Sequence, residues 1–363
     1  MENNTEFIVE ESSYVYDLLG EFSHPLPIEL VISTLVWLIW LLSAAGNILV
    51  FIVILGDKQL RSNVANHYIL NLSSADLCVG LNSLIFNNLW RYFGNWPFGR
   101  AVCTFWTILD YAACMQSAFA IVLISMDRYF LVTKFLKYQK YQSRVLSGVL
   151  IGGTWSVSLL FFAVPVLGNG LWAQSKDVVI YSVTCDFGVL YIFHYNILQI
   201  LVGFVTPAIF LAFFNINVYA NILKRSKTLV RTVTDATSHN APIDPAMPSS
   251  LIQVEPKVPT GQINRNLDTR KSYKKHRKAA ITLAIIVGMF SLSWVPYYVV
   301  QLLFIVKKPN FTWLLWNSVY YTVWVNSAIN PFIYAATSPR IRKGFIKVLC
   351  FWNRRLMRKI HPI

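Results

Sequence analysis

The sequence predicts an all-α membrane protein: a seven-transmembrane helix bundle with a short amphipathic eighth helix. Three observations carry this. Of 363 residues, 55% are hydrophobic and 13% charged, where a soluble chain carries about a quarter charged. Seven apolar segments recur, at roughly 28–56, 66–93, 101–133, 147–167, 190–223, 279–306 and 313–337. Each is long enough to cross a bilayer core as a helix. Basic residues, finally, are divided very unequally between the two sets of loops.

The tail 1–27 has no Lys or Arg, but it contains Glu2, Glu6, Glu10, Glu11, Asp17 and Glu21. With that end outside, the outer basic residues are Arg91, Arg100, Lys176, Lys307 and Lys308, and the other 27 of 32 fall inside. The expected topology is an extracellular N-terminus and a cytoplasmic C-terminus in the plasma membrane. No basic start followed by an apolar run opens the tail, so the first span is expected to act as the targeting signal. The net charge of +15 reflects topology and contact with anionic lipid, and nucleic acid is excluded as a partner.

The first span carries Gly46-Asn47 and the second Asn71-Leu72-Ser73-Ser74-Ala75-Asp76. An acid such as Asp76 is costly inside a span and marks an ion site or relay more often than plain structure. The third span carries Asp110 near its start and Asp127-Arg128-Tyr129 near its end. Asp110 and Arg128 are eighteen residues apart, five turns, so they share a face about 27 Å apart. That is close to the thickness of the bilayer core. One helix thus places a charged group at each side, fit to sense a ligand at the first and report it at the second.

The fourth span has Trp155 and Pro165, and the fifth Gln199, Gly203 and Pro207. The sixth has Phe290 and Ser293-Trp294-Val295-Pro296-Tyr297-Tyr298. The seventh has Tyr320, Tyr321, Trp324, Asn326, Ser327 and Asn330-Pro331-Phe332-Ile333-Tyr334. Between the fifth and sixth, residues 226–272 mix Pro242, Pro245, Pro248, Pro256 and Pro259 with polar residues, which predicts a mostly disordered inner linker with basic ends. The bundle therefore occupies 28–337 and the inner tail 338–363. In that tail Ile341, Phe345, Ile346 and Leu349 recur at helical spacing among basic residues, which predicts an interfacial helix. Cys350 on its apolar side is a palmitoylation candidate.

Of five cysteines, Cys103 and Cys185 fall outside, where disulfides persist. A bridge between them would pin the second outer loop over the third helix. Asn3 and Asn310 head sequons on the outer side.

The ordered set GN at 46–47, NLSSAD at 71–76, DRY at 127–129, SWVP at 293–296 and NPFIY at 330–334 resembles the rhodopsin-like G-protein-coupled receptors, over residues 28–351. The Cys103/Cys185 pair fits the same family. Asp110, eighteen residues before Arg128, resembles the amine receptors. A protonated amine entering a dry pocket needs an anion, and aromatic faces add cation–π attraction. Tyr111, Trp294, Tyr297, Tyr298, Tyr320 and Trp324 form the expected cage, with Cys114 beside Asp110. The stretches LDYAAC at 109–114, FFNINVY at 213–219 and VWVNSAINP at 323–331 are most similar to histamine receptors of the third and fourth subtypes, which implies an inhibitory G protein. Those receptors have an acid where this chain has Gly203, which argues for a different small amine. Gln199, with Asn196 near it, is placed to meet the ligand's far end.

The resemblance also implies a sodium site at Asp76, Ser117, Asn326, Ser327 and Asn330. It implies activation through Asp127, Arg128, Tyr129, Leu136, Asn215, Phe290, Pro296, Pro331 and Tyr334. Arrestin and receptor kinases are further implied partners. Alternatives from other classes are a peptide or lipid receptor on the same fold and a membrane transporter. No internal repeat or paired broken helices support the latter. No HExxH cluster or nucleophile–base pair suggests an enzyme. Many relatives place a Glu at the foot of the sixth span to restrain Arg128, and this chain has His276 there. Basal GTPγS exchange in membranes bearing the protein should therefore exceed that of mock membranes. Equal rates would show that another group restrains Arg128.

Overall fold

The computed structural model describes residues 26–168, 185, 193–238, 260–307 and 313–350. They form ten helices in chain order: α1 (Leu26–Gly56), α2 (Lys58–Ser62), α3 (Ala65–Phe93), α4 (Gly99–Thr133), α5 (Phe135–Tyr141), α6 (Arg144–Leu167), α7 (from Phe193, ending in Thr206–Ser238), α8 (Thr260–Lys307), α9 (Trp313–Thr337) and α10 (Pro339–Leu349). The seven long ones are the predicted spans. Six are long and apolar enough to cross a membrane by length and composition. The seventh, α9, carries Asn326, Ser327 and Asn330 on a buried face.

Helices dominate because a span in hydrocarbon must satisfy every backbone N–H and C=O internally. Their ends use local chemistry. Asp57 caps α2, its Oδ1 accepting from the Gln59 and Leu60 amides at 2.9 and 3.1 Å. Ser143 caps α6, accepting from the Leu146 amide at 3.1 Å. Ser338 caps α10, with Pro339 in its first turn.

The axis of the bundle is α4, which touches α3, α6, α7 and α8. Two thirds of its most apolar stretch (67%) is buried, against 11% of α6 at the periphery. Two spans depart from α geometry. Val79–Leu84 of α3 and Leu201–Val205 of α7 are π turns. Each inserts a residue and re-aims the side chains beyond it, a device common at functional sites.

At the start of α4 the Cys103–Cys185 disulfide forms, with Cα atoms 5.6 Å apart. Trp96 stacks on Trp106 beside it at 5.0 Å. Pro97 lies in the turn that precedes α4 rather than in a span.

The inner linker departs from expectation. Helix continues from α7 to Ser238 and resumes at Thr260, so both ends of 226–272 are helical. The 48 residues of α8 make a rod of about 72 Å, more than twice the bilayer core. The physical reason is composition. All five linker prolines fall between Ser238 and Thr260, and the flanks are rich in Lys, Arg and Thr without proline.

The eighth helix, α10, docks on α1 and α9. Ile341 and Phe345 are buried, while Arg342 and Lys343 are exposed. Arg340 forks onto Asp57 with bonds of 2.8 and 2.7 Å, and this guanidinium holds the Asp57 carboxyl below its ordinary range. Gly344 allows the docking. A Cβ there would collide with Val53 Cγ1 and stand 3.0 Å from its Cγ2. Gly344→Ala should therefore cost about 1–3 kcal/mol as overpacking, read as a lowered Tm of the purified protein. Gly56→Ala, whose Cβ meets nothing within 4 Å, is the control, and Val53→Ala should restore the loss.

Candidate ligand site and inner cleft

The half of the bundle around Asp110 encloses a cavity of about 390 Å³ of empty space, its open mouth included. All nine residues proposed from the sequence line it: Asp110, Tyr111, Cys114, Gln199, Trp294, Tyr297, Tyr298, Tyr320 and Trp324. Met115, Phe162 and Val323 are the other described residues that line it. Sequence reasoning missed these three because an apolar residue in a span carries no mark of what it faces.

Asp110 is 3% exposed. Its Oδ2 accepts from the Tyr320 hydroxyl at 3.0 Å, and Ser83 and Trp324 face the same carboxylate. The Cys114 thiol is 4.0 Å from Oδ1. No Lys or Arg pairs with Asp110 among the described residues. The aromatic wall is continuous. Trp324 meets Tyr320 at 4.6 Å, Tyr320 meets Tyr297 at 6.0 Å, and Tyr297 meets Trp294 edge-on at 6.0 Å. Trp294 stacks on Tyr298 at 5.5 Å and meets Phe290 below at 5.7 Å. Tyr111 packs on Phe162 at 5.5 Å.

Gln199 is buried in the α7 wall, and its Oε1 has no hydrogen-bond partner. Asn196 does not line the cavity. Its Oδ1 instead accepts from Gln301 of α8 at 2.8 Å.

Beneath the cavity, Asp76, Ser117, Asn326, Ser327 and Asn330 are all buried. Asn330 donates to Asp76 Oδ2 at 2.8 Å. Ser117 and Ser327 lie beside the carboxylate, yet Asp76 Oδ1 and Ser117 Oγ lack partners. Asn47 ties the cluster to α1, donating to the carbonyls of Ser43 and Ser327 at 2.9 and 3.1 Å. Clusters of three or more His, Cys, Asp or Glu are absent among the described residues, so hard oxygens of mixed type make up this set.

At the opposite end of α4 Arg128 Nη2 is 3.1 Å from Asp127 Oδ2. Asp127 Oδ1 accepts from the Tyr138 hydroxyl at 2.9 Å and from Gln142 at 3.0 Å. These two partners come from α5 and its C-cap and were not foreseen, because a loop helix gives no sequence sign of its docking partner. Burial, with the Asp127 charge beside it, pushes the Tyr138 phenol up. Tyr129 packs on Phe214 at 5.4 Å. Asn215 donates to the Leu211 carbonyl at 2.8 Å and to Ser125 at 3.3 Å. Leu136 is 81% exposed, open to a partner. Tyr334 is buried near Asp76, its hydroxyl unpartnered. Pro296 and Pro331 sit inside α8 and α9. Cys350 follows α10 half-buried and unpaired. Asn3 and Asn310 lie outside the described residues, as does the His276 side chain.

A family model described as "7 transmembrane receptor (rhodopsin family)" matches residues 46–334. Among similar proteins is the alpha-1D adrenergic receptor of Mus musculus, 26% identical over 343 residues, which are 89% of this chain and 58% of that protein. Another is the histamine H4 receptor of Rattus norvegicus, 24% identical over 374 residues, covering 90% of this chain and 94% of that receptor. The alpha-1A adrenergic receptor of Homo sapiens is 29% identical over 325 residues, 85% of this chain and 65% of that protein. The chain thus spans under two thirds of the adrenergic relatives and nearly all of the histamine one. It belongs to the rhodopsin family of seven-transmembrane receptors and is a receptor rather than an enzyme.

Proposed function

We propose that this receptor responds to a small protonated amine at the cell surface and signals to a heterotrimeric G protein of the inhibitory type. The observation that carries the reading is Asp110, a buried carboxylate that opens on an aromatic cavity with no cation paired to it among the described residues. An ammonium group there would recover its desolvation cost from the carboxylate and add cation–π attraction to Tyr297, Tyr320 and Trp324. The amine-named relatives support the same class. The topology proposed from charge puts this cavity outside and the Asp127–Arg128 end in the cytoplasm.

Signalling follows as a population shift between two packings of the bundle. The ligand favours one arrangement of Tyr297 and Trp294, which rest on Phe290. Pro296 lets the inner half of α8 swing outward. Arg128 then leaves Asp127, and the opened cleft receives a G-protein helix near Arg128, Asn215 and Tyr334, with Leu136 packing on the same partner. Arrestin and receptor kinases would use this inner face.

The residues around Asp76 fit a sodium ion. Two buried oxygens there, Asp76 Oδ1 and Ser117 Oγ, lack hydrogen-bond partners, and Ser327, Asn326 and Asn330 supply more. Bound there, sodium would neutralise the carboxylate and tie α3, α4 and α9 together, favouring the inactive packing by linkage. In Asp76→Asn, agonist affinity should no longer differ between sodium and N-methylglucamine buffers. A sodium effect of unchanged size would place the ion elsewhere.

The ligand assignment is tested by expressing the protein with a promiscuous G-protein reporter and screening histamine, serotonin, acetylcholine and trace amines. An active amine should lose potency by about 100-fold or more in Asp110→Ala, given about 3 kcal/mol or more for breaking a buried charge pair, with surface expression retained. Unchanged potency in that variant would overturn the assignment.

A further inference from the structure

Gly203 lies buried in the π turn of α7, facing α8. A Cβ at this position would stand 2.9 Å from Tyr298 Oη and 3.5 Å from Met115 Cε, with no other contact inside 4 Å. The phenol oxygen of Tyr298 therefore fills the notch that the missing side chain leaves. The ring is held there from both helices. It stacks on Phe204 of α7 at 4.7 Å and on Trp294 of α8 at 5.5 Å. The result is that α8 supplies the polar group at the α7 end of the cavity.

Gln199 lines the same cavity one turn earlier, 3% exposed, with Oε1 unpartnered. An amide oxygen only accepts hydrogen bonds, whereas a phenol can donate as well as accept. Among the described residues, Asp110 is the one carboxylate lining this cavity. A cation at the α7 end would thus be desolvated without an anion, and bare hydrocarbon would leave Gln199 Oε1 orphaned. A neutral hydroxyl would satisfy both groups, donating to Gln199 Oε1 and accepting from the Tyr298 hydroxyl.

We propose that the Tyr298 hydroxyl, seated in the Gly203 notch and acting with Gln199, selects monoamines whose far end is a neutral hydroxyl over those ending in hydrocarbon or a second cation. The proposal rests on the reading of Asp110 as the amine anchor.

Two measurements test it, and the first needs no ligand. In a melting cycle of the purified full-length receptor, Gly203→Ala should lower Tm by about 3 °C, and Tyr298→Phe should cancel that loss, because the added methyl collides only with the hydroxyl. If Gly203→Ala costs the same in both backgrounds, Tyr298 does not fill the notch and the proposal falls. The second measurement compares 4-hydroxyphenethylamine, phenethylamine and 4-(aminomethyl)phenethylamine in binding and reporter assays. The hydroxyl compound should exceed each of the others by about tenfold, and its advantage over phenethylamine should fall toward one in Tyr298→Phe. An advantage that persists in Tyr298→Phe, or a preference for the diamine, overturns the selectivity. If the melting cycle behaves as expected but none of the three engages the receptor through Asp110, the amine anchor has failed, and the selectivity built on it fails with it.

Discussion

A carboxylate buried among helices in a membrane must be matched by hydrogen bonds, by a cation, or by a proton, and three acids in this bundle meet that demand differently. Asp127 is the most fully matched, with Arg128, Tyr138 and Gln142 around it. Asp76 has Asn330 on one oxygen and an orphan on the other. Asp110 receives a hydrogen bond from Tyr320 and opens on a cavity. Among the described residues only Asp127 has a counter-ion, whereas Asp110 has a hydroxyl and a thiol on its two oxygens and Asp76 keeps one oxygen orphaned. The two acids without a cation are where one would gain most, while the paired acid must be released before it can do anything else.

Two helices connect these acids. α4 carries Asp110 and Asp127 on one rod, which fixes their separation. α9 reaches two of the acids by different residues: Tyr320 holds Asp110, and Asn330 holds Asp76. A shift or rotation of α9 that improves one contact therefore alters the other, which would give the proposed ligand at Asp110 and the proposed ion at Asp76 a shared element to bias. The aromatic chain from Tyr320 through Tyr297 and Trp294 to Phe290 runs between α9 and α8 at centroid spacings of about 6 Å. Close packing of this kind switches between discrete arrangements rather than bending smoothly.

The spans were legible because a bilayer imposes length and apolarity that composition alone displays, and the nine cavity residues because the ordered motifs resemble the amine receptors, a likeness that picks these positions out from the other polar and aromatic residues of the spans. Other features lacked such a signal. The π turns at Val79–Leu84 and Leu201–Val205 leave no periodicity that a short window can separate from an α-helix. Tyr138 and Gln142 read as ordinary loop residues until α5 folds back on Asp127. The linker's prolines all fall between Ser238 and Thr260, and a proline-rich composition gives no sign of the helical flanks on either side. Gly203 stood out as a missing acid, but the sequence could not say that Tyr298, ninety-five positions later, occupies the space.

That exchange between helices bears on how recognition could become motion. An acid on α7 would anchor a ligand's far end to the helix that supplies it. In this receptor the hydroxyl at the α7 end belongs to α8, two residues beyond Pro296, and its ring stacks on Trp294. A ligand bonded to Tyr298 at one end and Asp110 at the other spans α8 and α4 directly, so its binding energy would act across Pro296 of α8. Because Gly203 gives the phenol just enough room, a small displacement of α8 toward or away from α7 changes whether that hydroxyl fits. The same contact can thus set which ligand binds and which packing of the bundle it favours, since only a difference in interaction between the two packings can shift their populations.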